Sequence, residues 1–266
     1  MRGLRQAIAA ALAAAALAIP ATAHEEATPD RLVVSVSQPQ VRITSTFAGA
    51  ELVVFGVAEL GSDPAEAKDA TPDVVVTVRG PAQSFVTWRK SRLAGVWVNT
   101  DSRTFIDVPS FLSVQASRPP EQMAPPEVLR LEQIGLSRNM LLQLVGTDYA
   151  DVVPTDPFRL AFLRQRSAAD LYQENPRGVT FLAPRVFRAE FTIPGRAPLG
   201  RYDIAVKLVR DGRVTATTPS HFEVIKSGFE QEVATFSQQD ALLYGLVVAI
   251  GSLIVGFIGN FLFRKD

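Results

Sequence analysis

From Arg31 onward, apolar and polar side chains alternate in short runs. Leu32, Val34 and Val36 alternate with Val33, Ser35 and Ser37, and Val41, Ile43, Ser45 and Phe47 alternate with Arg42, Thr44 and Thr46. Alternation of this kind sends successive side chains to opposite faces and predicts half-buried strands. Leu52 to Ala58 is a continuous apolar run instead, which predicts a strand covered on both faces. Gly61 to Pro72 is polar, holds two prolines and reads as a loop, after which Val74, Val76 and Val78 mark a strand that stops at Gly80-Pro81. Ser84 to Lys90, Gly95 to Asn99, Thr104 to Val108 and Phe111 to Ala116 are further short strand candidates. Short strands separated by Gly, Pro and Asp turns predict a β-sandwich.

Proline pairs at Pro119-Pro120 and Pro125-Pro126 close this block. Pro126, at a first helical position, opens a helix over Glu127 to Gln133 that Gly135 ends. Asp156 is placed to cap a second helix over Pro157 to Tyr172, before Asn175-Pro176 stops it. Alternation then returns. Phe187, Ala189, Phe191 and Ile193 form one strand, and Tyr202, Ile204, Val206 and Leu208 another. Asp211-Gly212 joins the latter to Val214–Thr217 as a hairpin, because both residues tolerate positive φ. Phe222 and Val224 fit a last strand, and Pro198 to Tyr202 reads as the entry to a strand whose tyrosine bonds back across a corner. Phe229, Val233 and Phe236 have helical spacing and predict a juxtamembrane helix.

Both ends depart from this pattern. Arg2 and Arg5, the apolar run Ala7 to Ile19, Pro20 and the small residues of Ala21-Thr22-Ala23 have the three parts of a secretory signal. Ala241 to Phe263 carries no charge and is ~34 Å long as a helix, enough to cross a ~30 Å hydrocarbon core. Arg264 and Lys265 follow it and Glu230, Glu232 and Asp240 precede it, so the body is expected outside and the tail in the cytoplasm. Tyr244 at one end, with Phe261 and Phe263 at the other, suits interfacial anchoring. The expected segments are 1–23 signal peptide, 24–30 polar arm, 31–118 β-sandwich module and 119–177 Pro-rich linker with a helical segment. Then follow 178–226 second β module, 227–240 juxtamembrane helix, 241–263 transmembrane helix and 264–266 cytoplasmic tail. The fold class is mainly β, immunoglobulin-like sandwich with a helical insert and one C-terminal span. Whether the two β blocks make one unit or two is open at this level.

Composition narrows the chemistry. The 266 residues hold no cysteine, which removes disulfides, thiol nucleophiles and cysteine metal sites. Formal net charge is zero, yet the four basic residues of the ends are set against Asp266 alone, leaving the exported body with three more acids than bases. That net charge disfavours a role in gripping anionic lipid or nucleic acid. No Gly-x-Ser-x-Gly elbow, phosphate loop or dinucleotide fingerprint is present, so no enzyme is expected; a membrane-anchored hydrolase would need acidic residues clustered in a cleft. No cofactor is expected.

Three sets of residues remain. His24, exposed as a new N-terminus by cleavage after Ala23, could chelate Cu(II) through its amine and imidazole, with His221 as a second ligand. A polar arm with nothing obvious to hold it argues for the plainer reading, a mobile arm and a surface histidine. Arg89, Lys90 and Arg92 with Trp88 and Trp97 could form a cation–aromatic face, but core or strand-edge tryptophans beside a solvated basic turn are the commoner arrangement. The arginines Arg159, Arg164 and Arg166 invite the same reading. In the span, Gly245, Ala249, Ser252, Gly256 and Gly259 recur every three or four residues and fall on one stripe, with Asn260 beside it. Small residues let a second helix approach closely.

RLVVSVSQPQVRITSTFAGAELVVFGV, VVVTVRGP, RLAGVWVN and PLGRYDIAVKLVRDGR, between a signal peptide and a single C-terminal span, resemble the putative transmembrane protein family of alphaproteobacteria over nearly all of Arg31 to Phe263. The resemblance implies an inner-membrane protein and carries over no catalytic residue. It also implies a neighbourhood of sulfite-exporter-type permeases. The expectation is a bitopic inner-membrane protein with a periplasmic β body. It would be a non-enzymatic accessory or scaffold whose span docks on such a permease or on a second copy. The alternative is a tethered periplasmic ligand- or copper-binding sandwich.

Overall fold

A computed structural model describes residues 29–43, 49–61, 72–145, 148–226 and 236–263. Expectations for the signal peptide, for His24, for the segments 44–48, 62–71 and 227–235, and for the tail lie outside the described residues. In chain order the strands of the first half are β1 (Arg31–Val36), β2 (Gln40–Ile43), β3 (Gly49–Glu59), β4 (Asp73–Arg79), β5 (Ala82–Leu93), β6 (Val96–Pro109) and β7 (Leu112–Ala116). Helix α1 (Pro126–Leu131), β8 (Leu142–Val145), β9 (Asp148–Asp151), α2 (Pro157–Ala168) and β10 (Tyr172–Asn175) come next. The second half adds β11 (Val179–Ala183), β12 (Val186–Pro194), β13 (Gly200–Arg210) and β14 (Arg213–Lys226), and the chain continues to α3 (Ala241–Phe263).

The two β blocks share their sheets. One sheet runs β1-β3-β12-β11, all antiparallel, and a larger one runs β10-β7-β4-β13-β14-β2 with parallel pairs at both ends. Each therefore pairs strands from before and after the helical insert, β3 with β12 and β4 with β13. Their facing sides meet in one core that includes Leu52, Val54, Phe187, Phe191, Val76, Val206 and Phe222. Phe187 lies so close over Gly56 that a Cβ there would come within 2.3 Å of the ring, which is why this position in β3 carries no side chain. A third set, β5-β6-β8-β9, forms a separate sheet whose base shares the core through Phe105 and Val108.

Burial corrects one expectation. The apolar run in β3 is covered on one face only: Leu52, Val54 and Ala58 are buried, while Phe55 and Val57 are about 40% and 37% exposed. The strands buried on both faces are β4, whose Val74, Val75, Val76, Thr77 and Val78 are all enclosed, and its neighbour β7, enclosed from Leu112 to Ala116. The helical insert supplies the second cover of β4. Glu132 just after α1 accepts from Lys207 Nζ at 2.6 Å, and Asn139 accepts from Arg79 at 3.0 Å, tying the insert to the outer side of β13 and β4. The described residues of 119–177 are thus a packed layer, and they hold three strands, β8, β9 and β10, that alternation did not mark.

Local signals set the insert's boundaries. Pro126 occupies the first turn of α1, and positive φ at Gln133 and Gly135 ends the segment. Asp156 Oδ1 accepts from the N–H groups of Phe158 and Arg159 at 2.8 and 3.2 Å, the expected N-cap of α2. That helix stops at Ala168 rather than Tyr172. Asp170 takes φ +56°, and Tyr172 enters β10, where its ring meets Phe162 edge-on and its hydroxyl donates to Pro109 O at 2.6 Å. Inward burial of the aromatic ring outweighs one more helical turn.

The Asp211-Gly212 hairpin forms as expected, with φ +48° and +74°, and Tyr202 donates to Pro198 O at 2.7 Å across the predicted corner. Asp30, at the end of the polar arm, is not loose. Its Oδ1 accepts from Gly61 N–H at 2.9 Å and from Arg210 at 3.0 Å.

Candidate functional site: the span and the aromatic arm

Helix α3 is continuous from Ala241 to Phe263, and it is the one described helix long and apolar enough to cross a membrane. Residues 236–239 form a helical turn before it, joined through Asp240 N–H to Phe236 O and Tyr244 N–H to Asp240 O, with the Phe236 and Tyr244 rings 6.1 Å apart. On α3, Gly245, Ala249, Ser252, Gly256 and Gly259 fall within ~80° of arc at ~100° per residue, with Asn260 at the margin. A Cβ added at Gly245, Gly256 or Gly259 would meet nothing within 4 Å. Ser252 Oγ donates to Val248 O at 2.8 Å, so its hydroxyl is satisfied inside the helix and leaves the stripe smooth. Asn260 is exposed, and the side chains of Phe261 and Phe263 lie outside the described set.

The second feature is the hairpin of β5 and β6. Ala94 and Gly95, at φ +47° and +85°, make a two-residue turn of the kind that matches strand twist, and Leu93 stands opposite Val96. The expectation of separate strands over Gly95–Asn99 and Thr104–Val108 is corrected: Gly95 is in the turn, and Val96–Asn99 and Thr104–Val108 belong to the one strand β6. The basic run Arg89, Lys90, Arg92 is likewise in strand β5 and not in a turn. Trp88 and Trp97 are 54% and 65% exposed, and Leu93 and Val96 at the tip are 68% and 63% exposed. None of these is a core residue.

Register divides the hairpin into faces. Phe85 pairs with Phe105 and Thr87 with Arg103, and this side turns to α2: the Phe162 ring lies 5.6 Å from Phe85 and 5.0 Å from Phe105. Arg166 stacks 4.4 Å over Phe85 and donates to Ser110 O, and its burial draws its pKa below the usual guanidinium value. Val86, Trp88, Lys90 and Arg92 alternate onto the opposite side, where Trp97 stands across from Arg92. Beyond Thr87 almost every residue on both faces is exposed, so the hairpin leaves the body as a two-stranded arm. Within it Arg89 pairs with Asp101 at 3.5 Å and Ser91 Oγ lies 2.9 Å from Thr100 Oγ1.

Some other charged groups are structural. Arg159, buried on α2, donates to Asp151 Oδ1 at 2.9 Å and to the carbonyls of Val152, Ser137 and Asn139 at 2.6, 3.0 and 2.5 Å, binding β9 and the insert to the helix. Sequence reading grouped it with Arg164 and Arg166, and no pattern in the sequence marks it as the buried one of the three. His221 is exposed on β14 directly opposite Asp203. Among the described residues no group of three or more His, Cys, Asp or Glu side chains is placed to hold a metal ion. A surface cleft of about 310 Å³ is lined by Pro72, Asp73, Ser117, Arg118 and Phe181, and its two charges pair with each other.

A family model described as "Putative transmembrane protein" (Alph_Pro_TM) matches residues 31–265. No curated protein matches the chain.

Proposed function

The chain belongs to the putative transmembrane protein family, and from that membership and its single candidate span we propose that it is a bitopic inner-membrane accessory or scaffold protein. The β body works in the periplasm, the short tail after Phe263 is cytoplasmic, and α3 docks against a membrane partner. That partner is a polytopic permease, of the sulfite-exporter type by family association, or a second copy of the chain. The protein itself performs no catalysis in this reading.

The observation that carries the proposal is the stripe on α3. Five small residues in register leave a shallow track along a helix whose every neighbour position is open. Lipid offers no hydrophobic drive for helices to associate, so close backbone approach along such a track is the physical means of holding two spans together. Gly245→Leu together with Gly256→Leu fills the track while leaving the helix apolar enough to insert. Purification of the double variant from native membrane should lose the partner that the parent protein retains. Unchanged co-purification means the stripe is not a docking surface.

A further inference from the structure

We propose that the β5–β6 arm is a second membrane contact, laying its tip in the headgroup region of the bilayer that α3 crosses, with anionic phospholipid as its preferred surface. The inference rests on α3 being embedded, but not on its docking to a partner.

Topology aims the arm. β4 and β14 both run antiparallel to β13, so they point the same way, and Asp203 of β13 stands between Arg79 and His221. The last strand therefore delivers the chain toward the span from the end of the sheet at which β4 finishes. The β4–β7 ladder does not stop there. Gly80 N–H donates to Phe111 O, Ser110 N–H donates to Pro81 O, and Ala82 stands opposite Pro109, so the ladder runs on into β5 and β6. Body and bilayer are close. From Lys226 to Phe236 the chain spans at most about 35 Å, even fully extended. The arm adds about 23 Å from buried Thr87 to Ala94 at ordinary strand rise. Its tip thus extends from the same end of the body as the chain that leads to the span, and at these lengths the bilayer is within its reach.

The chemistry of the arm fits an interface. Trp88 and Trp97 are amphipathic rings of the type enriched where hydrocarbon meets water, and Leu93 and Val96 at the turn offer apolar bulk to the upper acyl region. Between Val86 and Asn99 there are Arg89, Lys90 and Arg92 and no acidic residue. Arg89 is paired with Asp101 just beyond, so Lys90 and Arg92 give the arm its net positive charge, within a body that carries more acids than bases. Exposed basic side chains held at a bilayer surface are drawn to anionic headgroups. A water-facing arm would gain nothing from exposed tryptophan and leucine at its tip, which add an apolar patch that soluble surfaces avoid.

Trp88 and Trp97 are the two tryptophans of the whole chain, so their emission reports the arm alone. The test is full-length protein reconstituted into vesicles carrying phosphatidylcholine brominated high on its acyl chains, with and without phosphatidylglycerol. The expected result is blue-shifted emission that the brominated lipid quenches, more strongly with phosphatidylglycerol present. Lys90→Glu with Arg92→Glu, both exposed, should abolish the difference between the two lipids while far-UV circular dichroism is retained. Emission typical of water-exposed indole, untouched by brominated lipid, overturns the proposal. So does blue-shifted emission without lipid quenching, which means that protein covers the arm, from a partner or a second copy. The stripe variant of α3 is read by co-purification and this arm by quenching, so either idea can fail without the other.

Discussion

Two hairpins in this protein are built with the same local device and reach opposite ends. β13 and β14 join through Asp211-Gly212, β5 and β6 through Ala94-Gly95, and both turns place two consecutive residues at positive φ. Strand lengths are also alike, 11 and 14 residues against 12 and 14. β13 is buried along one face and flanked by β4, with the insert bonded to its other side. Among the described residues, the distal part of β5 and β6 has neither a flanking strand nor a covering layer. Turn chemistry decides that a hairpin forms; whether it becomes the spine of a core or an arm depends on what lies alongside.

The contrast can be broken from the buried side first. Leu208→Ala removes a side chain with no exposed surface and should cost 2–5 kcal/mol in denaturant unfolding followed by circular dichroism, on the scale of about 3 kcal/mol typical of such cavities. Tryptophan emission should scarcely follow that transition, because both indoles sit on the arm.

Alkali comes next. Burial holds the Tyr202 and Tyr172 hydroxyls well above the usual phenol range, with Arg166 opposing the shift weakly. Unfolded tyrosine ionises near about pH 10 and the folded rings do not, so ionisation favours the unfolded chain. Stability should be full below that pH and fall as pH rises above it, measured as a declining denaturation midpoint. A midpoint unchanged at high pH would contradict the buried, neutral state of both rings.

The turns separate the hairpins more finely. Gly212→Val strains a left-handed position and brings a Cβ to 3.2 Å from Pro125, so global stability should fall by about 1–2 kcal/mol. Gly95→Val meets the same backbone penalty in open space. Its effect should appear as faster amide exchange in residues 88–101, with the global midpoint unmoved, because the arm can open by itself. Tyr202→Phe removes the bond to Pro198 and should cost about 1 kcal/mol. Smallest of all, Leu93→Ser and Trp97→Ser should leave global stability within about 0.5 kcal/mol, since neither side chain is buried.

Much of the buried hairpin was legible from residues. Alternation from Tyr202 to Leu208, the positive-φ pair and the tyrosine corner are short-range features, and each appears where expected. The arm was harder to read. Val86, Trp88, Val96 and Trp97 are residues of high strand propensity that a core would use as readily as a surface, so type alone pointed inward. β3 and β4 show the same limit. Both are Val-rich, and the more continuous apolar run belongs to the strand with one open face. What covers a strand comes from elsewhere in the chain, here from Glu132 and Asn139 in a segment that read as a linker. The stripe on α3 was fully legible, because helical spacing converts sequence positions into angles without any tertiary information.

Sequence by itself determined much of the local geometry of this protein: the strongly alternating strands, the reversal at Asp211-Gly212, what caps α2, and which stretch is apolar enough to span a bilayer. These depend on dihedral preferences and spacing within a few residues. Tertiary structure decided that strands from both halves of the chain interleave in two sheets, that Arg159 is buried on four oxygens, that β10 runs beside β7, and that two tryptophans face outward on a bare arm. Those outcomes depend on pairings between residues far apart in sequence, where many partners satisfy the same alternation and the packing of the whole selects one.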